Sequence, residues 1–383
     1  MENSNELYGW HNCCHIVFVI LLLVLCSPIF LLASVAIYAA TTISSNVGAQ
    51  PTGILYNPDN HLIYVANYAS STVSIINGST EKVVATLLVG QGPSALTYDK
   101  EHHYIYVVCR VSNDVYIIDT TTNPNKVMSA TINVGSQPIS ALYVPGSHHL
   151  YVSNTKSKTI SVLDIGNIAT SVKKISTKVS AAKNATKDNV TKGETITNAG
   201  RISIKNNSTI TLTSVPYFFA YNRDVKGIYV TQIDNTTDIG TLSLINEASN
   251  KIALNIPTDG NHTLGISYDS ANHLLYLLNQ DSNTVSVLNG INSIFIKNIQ
   301  LPLDVNPISA ASSSLDNNLY VVGITSTSVY RIVQNTYDGH PLTGLGNSPF
   351  GIAYDRNDDK MFVTSIDNNT ISVFSLNHST NAP

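Results

Sequence analysis

Hydrophobic residues in this chain fall into short runs of strand length, separated by polar turn residues. The stretch 94–134 shows the pattern clearly: runs rich in Val, Ile and Tyr are divided by Lys-Glu-His, Ser-Asn and Asn-Pro-Asn segments. Residues of this kind favour β-strands, and a turn every 8–12 positions, roughly, is typical of all-β arrays. The pattern therefore predicts an all-β chain with four short strands in each unit.

A short phrase repeats along the chain: an aromatic residue, then Val or Leu, then two small or polar residues. It occurs seven times, at Tyr64–Asn67, Tyr106–Cys109, Tyr151–Asn154, Tyr229–Gln232, Tyr276–Asn279, Tyr320–Gly323 and Phe362–Ser365. The lead aromatic residues are spaced by 42, 45, 78, 47, 44 and 42 residues. A repeat of about 40–45 residues with several strands is typical of a propeller blade. We therefore expect a seven-bladed β-propeller of four-stranded antiparallel blades over residues 39–383.

The last repeat contains only three strands, whereas an additional strand-like segment precedes the first repeat. Residues 40–46 come before a Val-Gly-x-x-Pro turn, as residues 84–88 do. We expect residues 40–46 to supply the outer strand of blade seven, because a ring closed in this way leaves no open sheet edge.

The spacing of 78 residues exposes an insertion in blade three, residues 166–205, which is rich in Lys, Asn and Thr and lacks aromatic residues. Residues 156–205 hold ten basic and three acidic residues, a net charge of +7. This composition predicts a solvated loop or projecting hairpin, or else a contact arm for an anionic partner or surface. The spacing favours Asn207–Thr213 as the fourth strand, which places the insertion opposite the usual ligand mouth. The alternative strand, Ser171–Val179, would place it at the mouth.

Residues 16–38 contain no charged residue. As a helix they would span about 34 Å, enough for the ~30 Å hydrocarbon core of a bilayer. Residues 1–15 form a short polar tail without Lys or Arg and so lack the basic start of a signal peptide. We expect a transmembrane anchor or uncleaved signal at 16–38, in a single-pass membrane protein with its propeller outside the cytoplasm. The alternative is a cleaved signal peptide, which would make the protein secreted.

Charged residues make up only 12% of the chain, against about 25% in an average protein. The net charge of −4 gives no argument for nucleic-acid binding. Candidate glycosylation sites of the form Asn-x-Ser/Thr occur at Asn77, Asn184, Asn189, Asn206, Asn207, Asn235, Asn261, Asn368 and Asn377. Such sites are compatible with an external domain.

No serine-hydrolase, zinc-protease or phosphate-loop motif is present, and we expect no cofactor and no metal. Charged groups at the starts of the first strands would favour an enzyme, but those positions are Thr52, Ser94, Ile139, Tyr217, Thr263, Ile308 and Phe350. A neutral binding funnel fits this set. The weak candidates for a binding site at the channel mouth are Asp259, Asp304 and His262; the two aspartates could share a cation, but ordinary turn positions explain them better.

Histidines recur three places before the aromatic residue of the phrase, at His61, His103, His148 and His273. They belong to the turns between the first and second strands of separate blades. Because side chains of separate blades should not converge on one ion, we expect exposed turn residues rather than metal ligands.

The phrases Tyr-Val-Ala-Asn, Tyr-Val-Ser-Asn and Tyr-Val-Thr-Gln, with Gly/Pro turns between the blades, resemble the YVTN β-propeller repeat family over about residues 47–377. Cys109, Gly323 and Ser365 depart from the pattern, because they replace Asn. The resemblance implies a propeller of the kind common in secreted and surface proteins, often as an interaction module. Some relatives look like lactonase-type enzymes, so the resemblance does not assign one activity.

The sequence favours a membrane-anchored extracytoplasmic propeller that acts as a binding or surface-structural module for a protein or glycan. The alternative is a lactonase- or lyase-like enzyme acting in the channel mouth. A third possibility is binding of an anionic surface through residues 166–205. No specific nucleic-acid signal is present.

Overall fold

The first strand of every repeat lies at the centre of a ring, in contact with the first strands of the two neighbouring repeats. The structure, a computed structural model, describes residues 41–43, 47–166, 202–204 and 208–376. Their strands form seven sheets, each of which is one blade. Contacts between innermost strands run from blade one to blade seven and back to blade one. The predicted all-β, seven-bladed architecture with four-stranded antiparallel blades is therefore confirmed.

The strands are numbered along the chain and fall into four sets by their position in the blade. The first, innermost strands are β2 (Pro51–Asn57), β6 (Pro93–Asp99), β10 (Pro138–Val144), β15 (Val215–Asn222), β19 (Thr263–Asp269), β23 (Pro307–Ser312) and β28 (Pro349–Asp355). The second strands are β3 (Leu62–Asn67), β7 (Tyr104–Cys109), β11 (His149–Asn154), β16 (Gly227–Ile233), β20 (Leu274–Asn279), β24 (Leu319–Gly323) and β29 (Lys360–Ser365).

The outer half of each blade is built in the same way. The third strands are β4 (Thr72–Asn77), β8 (Asp114–Asp119), β12 (Thr159–Asp164), β17 (Ile239–Asn246), β21 (Thr284–Asn289), β25 (Ser328–Val333) and β30 (Thr370–Ser375). The fourth strands are β5 (Lys82–Leu88), β9 (Lys126–Asn133), β14 (Ser208–Thr211), β18 (Lys251–Asn261), β22 (Phe295–Gln300), the divided pair β26 (Thr336–Tyr337) and β27 (Leu342–Thr343), and β1 (Thr41–Ile43).

Buried Asn and Asp side chains fix the turn between the first and second strands. Asn57 ends β2 and accepts a hydrogen bond from the Asp59 amide at 3.0 Å. Asp99 does the same with the Glu101 amide at 3.0 Å. Both side chains are fully buried, so this local bond replaces water for a polar group inside the fold.

The hydrophobic core lies between blades. Alternate residues of β3 point to opposite faces of the sheet, as the period of a strand requires. Tyr64 packs in a cluster with Ile105 and Val107 of blade two. Its neighbours Ile63 and Val65 pack with blade seven. Each fully buried large apolar side chain stabilises the fold by about 1.5–3 kcal/mol, and a blade alone would leave both of its apolar faces in water.

Blade seven joins strands from opposite ends of the described chain. β1 pairs antiparallel with β30, with Thr42 opposite Ser372. This strand comes from the stretch 40–46 and occupies the outer position of the blade. It covers an edge whose backbone groups would otherwise lack partners.

The insertion of blade three leaves from the turn between the third and fourth strands. The fourth strand, β14, pairs with β12 and lies within Asn207–Thr213. A further short strand, β13 (Ile202–Ile204), pairs in parallel with β9 at the outer edge of blade two. The segment Ser171–Val179 lies outside the described residues.

Residues 1–15 and 16–38 also lie outside the described residues, so the proposed anchor is not tested by this structure. In the part of the chain that the structure describes, no helix has the length and apolar character needed to cross a bilayer.

Candidate functional site

A cavity of about 170 Å³ lies on the axis of the ring, between the first strands of all seven blades. Its wall consists of small and apolar residues, among them Gly53, Ala95, Ala141, Phe218, Gly265 and Ser309. None of the described residues that line it is charged. The channel can therefore hold a neutral group or water but offers no charged acid or base.

Around this channel, hydroxyl groups join blade three to blade four, blade four to blade five and blade seven to blade one. Ser153 Oγ donates to the Tyr217 carbonyl and Thr231 Oγ1 to the Leu264 carbonyl, both at 2.6 Å. Thr364 Oγ1 donates to the Thr52 carbonyl at 2.9 Å and so links blade seven to blade one. The three donors occupy the third position of the repeated phrase. That position therefore fixes the rim of the channel.

The amide in the fourth position of the phrase braces the loop after the second strand. Asn67 Nδ2 donates to Thr72 Oγ1 at 3.0 Å and to Ser74 Oγ at 2.9 Å. A Cβ atom on Gly48 would lie 2.7 Å from Asn67 Cγ, so the loop between blades needs glycine at that point. Asn154 and Asn279 make equivalent bonds in blades three and five.

Two sets of loops meet at one end of the ring, which we call the mouth face: the loops after the second strands and the loops that enter the first strands. Backbone hydrogen bonds join them. The Tyr68 amide donates to the Gln50 carbonyl at 2.8 Å, and the Arg110 amide donates to the Gly92 carbonyl at 2.8 Å. Gln50 and Gly92 have φ values of 54° and 65°. These contacts hold the side chains of the mouth face on a rigid frame.

A polar pocket of about 480 Å³ opens on the mouth face between blades one, two and three. We call it the basic pocket. Its walls include Tyr68, Arg110, Asn113, Ser136, Gln137 and Lys156. The volume lies within the range of small-molecule sites, about 300–1,000 Å³.

Charges on the mouth face are separated by sign. In the described loops of this face, the basic side chains belong to blades two and three, at Arg110, Lys156 and Lys158. The acidic side chains of these loops belong to blades four to seven, at Asp234, Asp238, Asp281, Asp304 and Asp367. The face therefore presents a positive half and a negative half around the channel opening.

The two halves approach each other near Tyr217 and Asp234. Burial raises the pKa of Tyr217, while the Arg110 charge opposes that rise and the Asp238 charge adds to it. Hydrogen bonds from Thr236 lower the pKa of Asp234, with a further contribution from the charge of Lys158. Arg110 therefore lies close enough to the channel opening to act on a residue of blade four.

The three sequence candidates for a binding site lie in different elements of the fold. Asp259 falls within β18, and Asp304 lies in the loop that enters blade six with a φ of 60°. His262 lies in the loop that enters blade five, where its Nδ1 is 3.6 Å from Asp281 Oδ2. Sequence reasoning did not identify the basic pocket, because its residues come from three blades and share no motif.

The histidines of the first-to-second-strand turns contact a neighbouring blade on the face opposite the mouth. His148 Nδ1 lies 2.6 Å from Glu101 Oε2, and Tyr143 donates to the same carboxylate at 2.7 Å. His273 Nδ1 lies 2.8 Å from Asp224 Oδ2, and Tyr268 also donates to it. His61 and His103 make similar contacts, with Asn357 and Asp59. These side chains are turn residues, as expected, but each also joins two blades.

One group of possible metal ligands occurs among the described residues, at Asp99, Glu101 and His102 on the face opposite the mouth. Its members are already engaged with protein partners. His102 Nδ1 is 2.7 Å from Asp99 Oδ2, and Tyr106 donates to Asp99 at 3.0 Å. An ion at this group would have to displace those bonds.

Comparison with known proteins identifies the fold but not the family. No protein-family model matches the sequence, and no curated protein matches it significantly. Hydrazine synthase from Kuenenia stuttgartiensis has a similar structure, with a TM-score of 0.67 and 14% identity over 89% of this chain and 99% of that one. The chain is a seven-bladed β-propeller.

Two further propellers are equally similar. Virginiamycin B lyase from Staphylococcus aureus, in a catalytically inactive form with quinupristin, has a TM-score of 0.65 and 14% identity over 89% of this chain and all 100% of that one. The Cps50 propeller domain from Myceliophteria thermophila has a TM-score of 0.65 and 11% identity, with coverage of 89% and 100%. At these identities the similarity concerns the fold alone, and the resemblance to YVTN repeats rests on the repeated phrase.

Three of the candidate glycosylation sites lie exposed on the mouth face of this propeller, at Asn235, Asn261 and Asn368. Asn77 ends β4, on the opposite face. The remaining candidates, Asn184, Asn189, Asn206, Asn207 and Asn377, fall outside the described residues. The three mouth-face sites all belong to blades with acidic loops, which leaves the basic pocket without a sequon at its walls.

Proposed function

We propose that this chain is a binding module: a propeller held outside the cytoplasm by residues 16–38, which binds a glycan or a protein on its mouth face. The basic pocket carries the proposal. It combines a concave surface of about 480 Å³ with charged, amide and hydroxyl groups on a rigid frame of loops. Sites of this composition fix the orientation of a ligand through a few polar contacts.

Binding is favoured over catalysis by the chemistry of the channel wall. A general acid or base must lie within hydrogen-bonding reach of the reacting group. The described residues that line the channel carry no charge, and the Ser94 hydroxyl in this wall donates to the Ile139 carbonyl at 3.3 Å. A rigid ring with a polar mouth and a neutral interior suits recognition.

The binding proposal is tested with the full-length chain in detergent micelles on an array of neutral and acidic oligosaccharides. We expect saturable binding to a subset of the glycans. Replacing the loops at 110–113 and 155–158 with Gly-Ser sequences of equal length should abolish this binding. Absence of binding to every glycan on the array would contradict a glycan-binding role.

Anchoring is tested separately, by alkaline extraction of membranes from cells that express the chain. We expect the full-length chain to stay in the membrane pellet and a chain lacking residues 16–38 to be released. Protease added to intact cells should degrade the propeller. Release of the full-length chain would show a secreted protein instead.

The alternative function is a lactonase- or lyase-like enzyme in the channel mouth. It is favoured by the structural similarity to virginiamycin B lyase, which concerns the fold only. On the mouth face, His262 Nδ1 lies 3.6 Å from Asp281 Oδ2. His262 would therefore be the first candidate for a catalytic base. Turnover of a panel of lactones that is lost on His262→Ala would support this alternative.

The insertion 166–205 provides a second possible contact, with an anionic surface, and it follows β12, whose end lies on the face opposite the mouth. Its net positive charge supports such a contact. Deleting residues 167–201 should then reduce binding to vesicles that contain anionic lipid, in a salt-sensitive manner.

A further inference from the structure

The basic pocket contains two cationic side chains that have no partner among the described residues. The backbone of each is fixed, since the Arg110 amide donates to the Gly92 carbonyl at 2.8 Å and the Lys156 amide donates to the Ser136 carbonyl at 3.2 Å. No hydrogen bond or ion pair is formed by the Arg110 guanidinium or the Lys156 ammonium within the described part of the chain. Their charge is therefore available to a ligand.

Acidic residues of the same face do not neutralise this pair. Asp114, the carboxylate that follows Arg110 in blade two, is buried and accepts a hydrogen bond from Ser112 at 2.5 Å. The other mouth-face carboxylates of the described loops belong to blades four to seven. A ligand that enters the basic pocket therefore meets a local positive field, which favours an anion.

The other walls of the pocket fit a hydroxyl-rich ligand with a flat apolar face. The ring of Tyr68 is partly exposed beside Gly92, where a Cβ atom would lie 3.0 Å from Tyr68 Cε2. Ser136 and Gln137 are exposed and make no side-chain hydrogen bond in the described structure, so their polar groups are free for sugar hydroxyls. Asn113 is different, because its Oδ1 accepts the Gln137 amide at 2.7 Å and shapes the wall.

From this combination we infer that the basic pocket binds a carboxylated sugar unit of a glycan, such as a uronic acid. The planar guanidinium of Arg110 matches the two oxygens of a carboxylate, Lys156 adds a second positive charge, and Tyr68 stacks against the apolar face of the sugar ring. The inference rests on the proposed binding function and adds the class of ligand. A neutral sugar would leave both cations without a counter-charge in the complex.

The test uses the full-length chain in detergent and two matched probes: trigalacturonic acid and its fully methyl-esterified form. Isothermal titration should show binding of the acid and at least a tenfold weaker affinity for the ester. Arg110→Gln should weaken binding of the acid by roughly tenfold or more, because a charge-assisted pair is lost, and Lys156→Gln by a smaller factor. Raised salt should weaken the binding of the acid and leave that of the ester unchanged.

The matched controls are Arg356→Gln and Lys226→Gln, which remove exposed basic side chains from turns on the opposite face. Both should bind the acid as the unmodified chain does. Equal affinities for acid and ester, an Arg110→Gln variant with unchanged affinity, or binding of a sulfated trisaccharide without binding of the carboxylated one would each overturn the inference. In these cases a neutral or sulfated glycan bound on the array would leave the general binding function intact, whereas silence of the whole array would also remove the glycan-binding role and leave only a protein ligand.

Discussion

Each letter of the repeated phrase has its own physical task in the blade. The hydroxyl of the leading tyrosine bonds either to the turn before its own strand or to a loop of the neighbouring blade. Tyr106 donates to Asp99 at 3.0 Å, and Tyr276 donates to Asn335 at 2.8 Å. The aliphatic residue fills the core between blades. Where the third residue is Ser or Thr, its hydroxyl bonds to the next blade, and where the fourth is Asn, its amide braces the following loop. Most buried polar groups find a partner, although among the described residues Asn67 Oδ1, Asn154 Oδ1 and Ser365 Oγ have none.

Thr231→Val tests the bond that the third position makes. Valine has nearly the same shape but leaves the buried Leu264 carbonyl without its donor. Urea unfolding should show a loss of about 1–3 kcal/mol. Thr86→Val, on the exposed outer strand of blade one, should stay within about 0.5 kcal/mol of the unmodified chain. Equal effects of the two substitutions would show that the inter-blade bond contributes nothing.

The sequence predicted where the phrase occurs but not what its polar members touch. The blade count follows from the spacing of aromatic residues, which is a local property of the chain. The acceptor of Thr231 is in the next blade, 33 residues away. The residues of the basic pocket are likewise separated along the chain and meet only when the ring forms. No periodicity marks them, so sequence reasoning placed its site candidates at Asp259, Asp304 and His262 instead.

Turns between the first and second strands connect neighbouring blades as well as their own strands. Burial would raise the pKa of Glu101, but hydrogen bonds from Tyr143 and His148 outweigh it and hold the pKa below its ordinary value of 4.5. Hydrogen bonds from Tyr268 and His273 lower the pKa of Asp224 below 3.8. Both carboxylates are therefore better stabilised in the folded protein than in the unfolded chain.

These pKa values predict a loss of stability in acid. A carboxyl group with a lowered pKa in the folded state contributes fully above its unfolded pKa and loses this contribution as the pH falls through the folded value. The melting temperature should therefore start to fall when the pH drops below about 4.5, and it should fall further below about pH 3.8. Thermal melts between pH 6 and pH 2.5, roughly, give the curve.

The variant Glu101→Gln/Asp224→Asn should flatten this acid response, while Asp238→Asn, an exposed loop substitution, should leave it unchanged. An unchanged slope in the double variant would mean that other carboxyl groups cause the acid sensitivity. The sequence identified the four histidines but not their partners, since His273 and Asp224 are 49 residues apart and meet only across a blade boundary.

The whole molecule is a ring whose last sheet combines strands from both ends of the described chain. Removal of residues 1–47 deletes β1 and leaves the edge of β30 open. We expect this change to cost most of the ~5–15 kcal/mol that stabilises a typical domain. Removal of residues 1–38 keeps β1 and should preserve the stability of the propeller. Calorimetric melts of the two shortened chains decide the matter, and equal melting temperatures would contradict a closing role for β1.

The distribution of charge also belongs to the scale of the whole molecule. Composition gave a net charge of −4 and no clear partner. Only the ring arrangement shows that the described mouth-face loops of blades two and three are basic whereas those of blades four to seven are acidic. A net value cannot reveal such a separation, because it averages over faces that the fold turns in different directions.

The pairing of β1 with β30 also sets the order of events during synthesis. β1 leaves the ribosome before every other described strand, and its partner β30 leaves after all of them. Until β30 has been made, β1 lacks its partner and its backbone groups stay free while the blades between them are synthesised. Nascent chains in this condition are prone to pair with one another. A chaperone or translocation channel that shields the early strand should therefore raise the yield of native protein more than it would for a barrel closed by neighbouring segments.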